Sequence, residues 1–252
     1  MTKDSISKSY KPEPRLVETF VIIDLDRTLL NTDAWVNLVY LQLQKRGITP
    51  EQARHELDFT MQQTGTSFSL LEHIERTRGK VLLNDVMNDI LLIAQNGELD
   101  PDELLYAGTA QLLNVLEARN VPFAILTYGN ELDQTFKLDI VRALLGRNSD
   151  QLHGVVTDEP KKAAWIVRSW TDVTTQRGVG IPISIAKIEG LRASCIVILD
   201  DKKQNLEPSA DFIKGILVDN SQQDSGGALS IITIVHHLES GSSLQEIAGI
   251  QG

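Results

Sequence analysis

Five short stretches of this 252-residue chain stay apolar until their last residues: FVIIDLD at 20–26, PFAILTYG at 122–129, GVVTD at 154–158, CIVILDD at 195–201 and IKGILVDN at 213–220. A strand with one face in water alternates apolar and polar side chains, whereas a strand covered on both faces does not. The runs are therefore expected to be strands of a sheet lying between helices. The segments that separate them carry the matching signal. Apolar residues recur at spacings of three and four in LLYAGTAQLLNVLEARN before the second run, in ELDQTFKLDIVRALLG after it and in KKAAWIVRSW after the third. Alternation of this kind predicts an α/β fold with a mostly parallel sheet and right-handed crossovers.

One segment breaks the rhythm. Between about Thr32 and Asp100 lie WVNLVYLQLQKRG, PEQARHELDFTMQQTG, SLLEHIERTRGK and NDVMNDILLIAQNG, four helix-like stretches divided by Gly, Pro and polar turns. With no strand signal among them, 32–100 is expected to be a helical module inserted just after the first strand. The expected core is then 18–31 with 101–240. Residues 1–17, polar and holding Pro12 and Pro14, are expected to form a disordered leader, and 241–252 a flexible tail.

Composition bounds the partners. The net charge of −10 and a pI near 5.0 disfavour nucleic-acid phosphates and anionic membranes, so a phosphorylated ligand would need local cations. The single cysteine, Cys195, excludes an intrachain disulfide or a multi-cysteine zinc site and suits a reducing cytoplasm. No stretch has the length or character of a signal peptide or a membrane span.

The polar residues fall where the apolar runs stop. Asp24 and Asp26, Thr127, and Asp200 with Asp201 end three of the runs, and Lys161-Lys162 follows a fourth. In a parallel sheet these positions share the carboxyl edge, where open α/β sheets bind ligands. Four carboxylates gathered there call for a hard cation such as Mg²⁺. Two lysines in the first turn of a helix oppose its dipole unless an anion is near. Thr127, Tyr128 and Gly129 offer a hydroxyl and backbone N–H groups suited to phosphate oxygens.

In these residues the chain resembles the haloacid dehalogenase superfamily of aspartate-dependent phosphohydrolases. Asp24-Leu25-Asp26-Arg27-Thr28 matches the first motif, Thr127 the second, a lysine at 161 or 162 the third, and Asp200-Asp201 with Asn205 the fourth; the likeness spans about 19–220. It implies a Rossmann-like core with a helical cap formed by 32–100. It further implies that Asp24 attacks phosphorus to form an aspartyl-phosphate, while Asp26 protonates the leaving alcohol and then deprotonates water. Thr127 and the lysine would neutralise the transferring group. Asp201 would hold Mg²⁺ with Asp24 and the backbone carbonyl of Asp26, and Asp200 would bind it directly or from behind.

The expected activity is that of a cytoplasmic, Mg²⁺-dependent phosphatase acting on a small phosphate monoester. A sugar-phosphate phosphotransferase or mutase, and a catalytically idle binding protein of the same fold, are the competing readings. An acid at Asp26 favours phosphate over halide substrates. Arg27 stands where many relatives carry a small residue, and Ala163-Ala164 follows the lysines where proline is frequent. Of the two lysines, Lys162 is favoured because Ile166 falls one turn after it. Substrate contacts are expected from Thr127, Tyr128, Gly129, Arg27 and Trp35. Within the helical module, the turn Gly65-Thr66-Ser67 and the basic Arg76, Arg78 and Lys80 are further candidates.

Overall fold

The computed structural model describes residues 15–64, 69–170, 178–207, 210–221 and 228–250, the side chains of 59–64 excepted. Strand β1 (Arg15–Ile23) lies inside a six-stranded sheet, flanked on its two sides by β2 (Phe123–Tyr128) and β5 (Leu191–Asp200). Both run parallel to it, as do β3 (Gly154–Thr157) beyond β2 and β6 (Ile213–Leu217) beyond β5. The expected α/β class and mostly parallel sheet are borne out. A sixth strand, β4 (Val179–Gly180), runs antiparallel to the start of β5, pairing Val179 with Ala193 and Gly180 with Arg192. Two residues are too few to show a period, which is why no strand was expected there.

The unbroken apolar runs have the cause inferred for them. Successive β1 side chains point to opposite faces: Val21 and Ile23 enter one apolar cluster, Phe20 and Ile22 the other, and all four are fully buried. The first face is covered by α6 (Thr109–Ala118), α7 (Glu131–Leu144), α11 (Ile231–Glu239) and α12 (Leu244–Ile250). The second is covered by α8 (Lys162–Trp170) with the short α9 (Ile183–Ala186) and α10 (Lys203–Leu206).

Between β1 and α6 come α1 (Thr32–Gln44), α2 (Pro50–Thr64), α3 (Leu70–Arg78), α4 (Lys80–Gln95) and the single turn α5 (Pro101–Leu104). Asn31 and Ser69 cap α1 and α3, each side-chain oxygen accepting a backbone N–H three residues on. These helices do not stand apart from the sheet layer. Trp35 of α1 meets Phe136 of α7 edge to face, centroids 5.7 Å apart, and α3 and α4 pack along α7 in the same apolar cluster.

Both expected loose ends require correction. Arg15–Val17 belong to β1, paired with Leu191–Ala193, because the ladder begins as soon as Arg15 N–H reaches the Gly190 carbonyl. The tail forms α12, whose Leu244 and Ile247 are buried. Ser243 and Glu246 make a reciprocal capping box at its start, each side chain accepting the other's backbone N–H. Residues 1–14, 65–68, 171–177, 208–209, 222–227 and 251–252, which include the Gly65-Thr66-Ser67 turn, lie outside the described residues.

Candidate active site

The carboxyl ends of β1, β2 and β5 and the start of α8 deliver Asp24, Asp26, Thr127, Asp200, Asp201 and Lys162 to one edge of the sheet. Asp24 continues the ladder past β1, its N–H donating to the Leu199 carbonyl at 2.8 Å, which sets it beside Asp200. Lys162 closes the pair. Its ammonium, with the side chain 1 % exposed, donates to Asp24 Oδ1 and to Asp200 Oδ2, the latter at 2.5 Å. Lys161 sits one residue outside α8, exposed to solvent, and is not brought to the cluster. Of the two lysines, it is Lys162 that the fold brings to the acids.

Asp200 has donors on both oxygens. Its Oδ1 takes the Lys202 N–H and the Asn205 side-chain amide, both at 2.9 Å. Asp201 differs: its Oδ1 is buried with no hydrogen-bond donor among the described residues. One oxygen each from Asp24, Asp200 and Asp201 lie within 4.8 Å of one another. Three carboxylates and one lysine leave excess negative charge, and a buried carboxylate oxygen without a donor favours a cation, so the donor set fits a hard divalent metal. Burial pushes the Asp24 carboxyl up to about 7, against the pull of Lys162 and with help from Asp200. The Asp201 carboxyl is also raised by burial, with Lys202 opposing.

Asp26 is held differently. After β1 the chain folds back tightly, Leu29 and Leu30 N–H both reaching the Leu25 carbonyl, with Arg27 in the left-handed region at φ 60°. This turns the Asp26 carboxylate toward α7. Lys137 donates to it at 3.0 and 3.2 Å, Gln134 at 2.8 Å and Thr32 at 2.9 Å. Burial alone would raise the Asp26 carboxyl; Lys137, Gln134 and Thr32 outweigh it and bring it below the usual range. Its carboxylate is not part of the three-acid cluster. Thr127, 1 % exposed, spends its hydroxyl on Gln134 Oε1 at 2.8 Å.

A cavity of about 630 Å³ opens beside Asp26 and Asp201, while Asp24, Thr127, Asp200 and Lys162 lie behind its lining. Asp26, Arg27, Tyr128, Gly129 and Asp201 line it from the strand ends, and Tyr40, Arg54 and Asp58 from α1 and α2. Arg54 stands over the Tyr40 ring at 5.9 Å. Of the residues expected to contact substrate, Tyr128, Gly129 and Arg27 line this cavity.

Trp35 is not. It is fully buried against Phe136 and belongs to the packing between α1 and α7, because the aromatic face of α1 turns to the core and Tyr40 takes the cavity side. Arg76 and Arg78 also fall elsewhere, paired with Glu72 and Glu56.

Two solved structures share this arrangement of strands and helices. One, from Burkholderia xenovorans LB400, is assigned as a haloacid dehalogenase-like hydrolase: it is 15% identical over 82% of this chain and 85% of its own, with a TM-score of 0.50. The other is the HAD-hydrolase YfnB from Bacillus subtilis, bound to magnesium, 12% identical over 88% of this chain and 98% of its own, again with a TM-score of 0.50. This chain has the haloacid dehalogenase-like fold. No family model and no curated protein matches it at the level of sequence.

Within that haloacid dehalogenase-like fold, sequence reasoning passed over Gln134, Lys137 and Arg54. Gln134 and Lys137 lie three residues apart, so they share one face of α7 just after the Thr127 strand end. That spacing was the available signal. Arg54 had none, since only the path of α2 over the strand ends brings it to the cavity.

Proposed function

We propose that the protein is a Mg²⁺-dependent phosphatase of the haloacid dehalogenase superfamily, hydrolysing a small phosphate monoester through an aspartyl-phosphate on Asp24. The observation that carries this reading is Lys162 shared between Asp24 and Asp200, with Asp201 and the cavity beside them. Such a lysine aims a buried carboxylate and opposes the effect of burial on its charge, as a nucleophile requires.

An Asp24 oxygen attacks phosphorus and the bond from phosphorus to the ester oxygen breaks. Asp26, ionised in the resting site by its Lys137 and Gln134 partners, must first take up a proton as the anionic substrate enters, and it then gives that proton to the ester oxygen. Water then attacks the phosphorus of the aspartyl-phosphate, its proton passes to Asp26, and the bond from phosphorus to Asp24 breaks to release inorganic phosphate. Lys162 balances charge on the entering phosphoryl group, and the Thr127 hydroxyl orients it. Mg²⁺ would be held by Asp24, Asp201 and the Asp26 backbone carbonyl, with Asp200 beside them, supplying positive charge opposite the phosphate oxygens. The magnesium in the Bacillus subtilis structure is consistent with that assignment.

Helices α1–α4 serve as the cap. Arg54 and Tyr40 reach the cavity from it, and a cavity of about 630 Å³ suits a small ester and not a folded macromolecule. The lone buried cysteine fits a cytoplasmic setting, and among the described residues no helix is long and apolar enough to cross a membrane.

The reading is tested by phosphate release from a panel of small esters and an aryl phosphate, with Mg²⁺ and with chelator, for wild type and Asp24→Asn. Metal-dependent release that disappears in the variant supports it. Undiminished release by Asp24→Asn overturns it.

A further inference from the structure

The second buried lysine has no part in the chemistry described so far. Lys137 is 2% exposed, lies on α7, and spends its ammonium on both oxygens of Asp26, an acid outside the three-acid cluster, with Asp133 3.5 Å away. Burying a lysine is costly unless it is paired and hydrogen-bonded. A surface salt bridge would have tethered α7 at less cost, so the position of Lys137 is explained by what it holds.

Gln134 makes the arrangement directional. Its Nε2 donates to Asp26 Oδ2 while its Oε1 accepts from Thr127 Oγ1, each at 2.8 Å. A single amide thus joins the group expected to receive the phosphoryl oxygens to the group expected to handle the proton. Gly129 makes room for it: a Cβ there would stand 3.1 Å from Gln134 Nε2. Fixed in this way, the amide can present its N–H to Asp26 only while its oxygen faces Thr127. A phosphoryl oxygen that takes the Thr127 hydroxyl removes one of the amide's two anchors, leaving Lys137 to keep the carboxylate in place.

Resting on the phosphatase reading, we propose that Lys137 and Gln134 are the positioning residues of Asp26, and that Gln134 couples occupancy of Thr127 to the aim of that carboxylate. Neither residue touches phosphorus. Both act through Asp26, so their effect is greatest where proton delivery to the leaving group matters most. An alkyl phosphate, which expels a poor leaving group, depends on that proton; p-nitrophenyl phosphate, which expels a stabilised phenolate, hardly does.

The test compares wild type, Lys137→Met, Lys137→Arg and Gln134→Leu in single-turnover transfer from glycerol phosphate and from p-nitrophenyl phosphate, normalised to the folded fraction. For Lys137→Met, transfer from the alkyl ester is expected to fall by about 10²-fold or more, the range of general acid–base contributions, and from the aryl ester by less than about tenfold. Gln134→Leu should show the same selectivity, with KM little changed in both variants. Lys137→Arg should recover part of the alkyl-ester rate. Equal losses on the two esters, or no loss on either, overturn the proposal while leaving the phosphatase reading intact. A folded wild type silent toward both esters overturns the phosphatase reading and this proposal with it.

Discussion

Asp24 and Asp26 leave the same strand two residues apart, yet they answer to different lysines: Lys162 from α8 holds the first and Lys137 from α7 the second. The tight turn after β1 gives the two carboxylates different partners. One joins the acidic cluster and the other faces the cavity, which keeps two like charges from competing for one cation.

The neighbouring lysines 161 and 162 should behave as strangers. Lys162→Met leaves Asp24 and Asp200 without their shared partner, and the loss of one member of a buried ionic group typically costs about 3–5 kcal/mol. Phosphate release should vanish along with that stability. Lys161→Met, at an exposed position, should stay within about 0.5 kcal/mol of wild type and keep its turnover. Urea denaturation and phosphate assay of the two variants check both halves.

Trp35 should register in stability and not in recognition. Trp35→Ala removes a fully buried ring that meets Phe136, a change that costs about 3–5 kcal/mol in a core. KM at a temperature where the variant is folded should stay near that of wild type, because Tyr40 and Arg54 form the cavity wall on that side. A large rise in KM at full folding would place the ring back among the substrate contacts.

Cys195 should be silent in the native protein. Burial raises its thiol above the ordinary value, with Lys214 opposing and Glu18 assisting, so at pH 8 it stays protonated while an exposed thiol is partly ionised. The thiolate is the reacting form, so iodoacetamide should modify the folded protein slowly, and faster as pH rises or once denaturant opens the sheet. Rapid labelling at pH 8 without unfolding would contradict the burial.

The sequence disclosed those parts of the molecule that depend on a strand end. Asp24, Thr127 and Asp200 are conspicuous because a polar residue closing an apolar run has few structural reasons to be there, and the parallel sheet then places such ends along one edge. Lys137 and Gln134 gave no such contrast. They occupy polar positions of an amphipathic helix, where Lys and Gln are ordinary, and only the rotation of α7 decides that they face Asp26 instead of water. Trp35 misled for the converse reason, since nearness in sequence to Asp24 does not fix which side of α1 turns inward. The helix α12 was overlooked although Ser243 and Glu246 announce it, because the Gly and Ser residues before it suggest a loose tail.

The pairing of β1 with β5, from Arg15 opposite Leu191 to Ile23 opposite Leu199, also sets an order of assembly on the ribosome. At ~5–20 residues per second, on the order of ten seconds or more of synthesis separates Asp24 from Asp200. The helices α1–α4, built from local contacts, can form while the nascent chain waits. The first strand gains β2 on one side, and α6, α7 and α8 over its faces, before β5 is made to close the other side. Through the last part of that interval Asp24 has Lys162 within the same chain but not the Asp200 that shares it. A translation product that stops short of β5 therefore carries Asp24 and Lys162 without the acidic cluster they belong to.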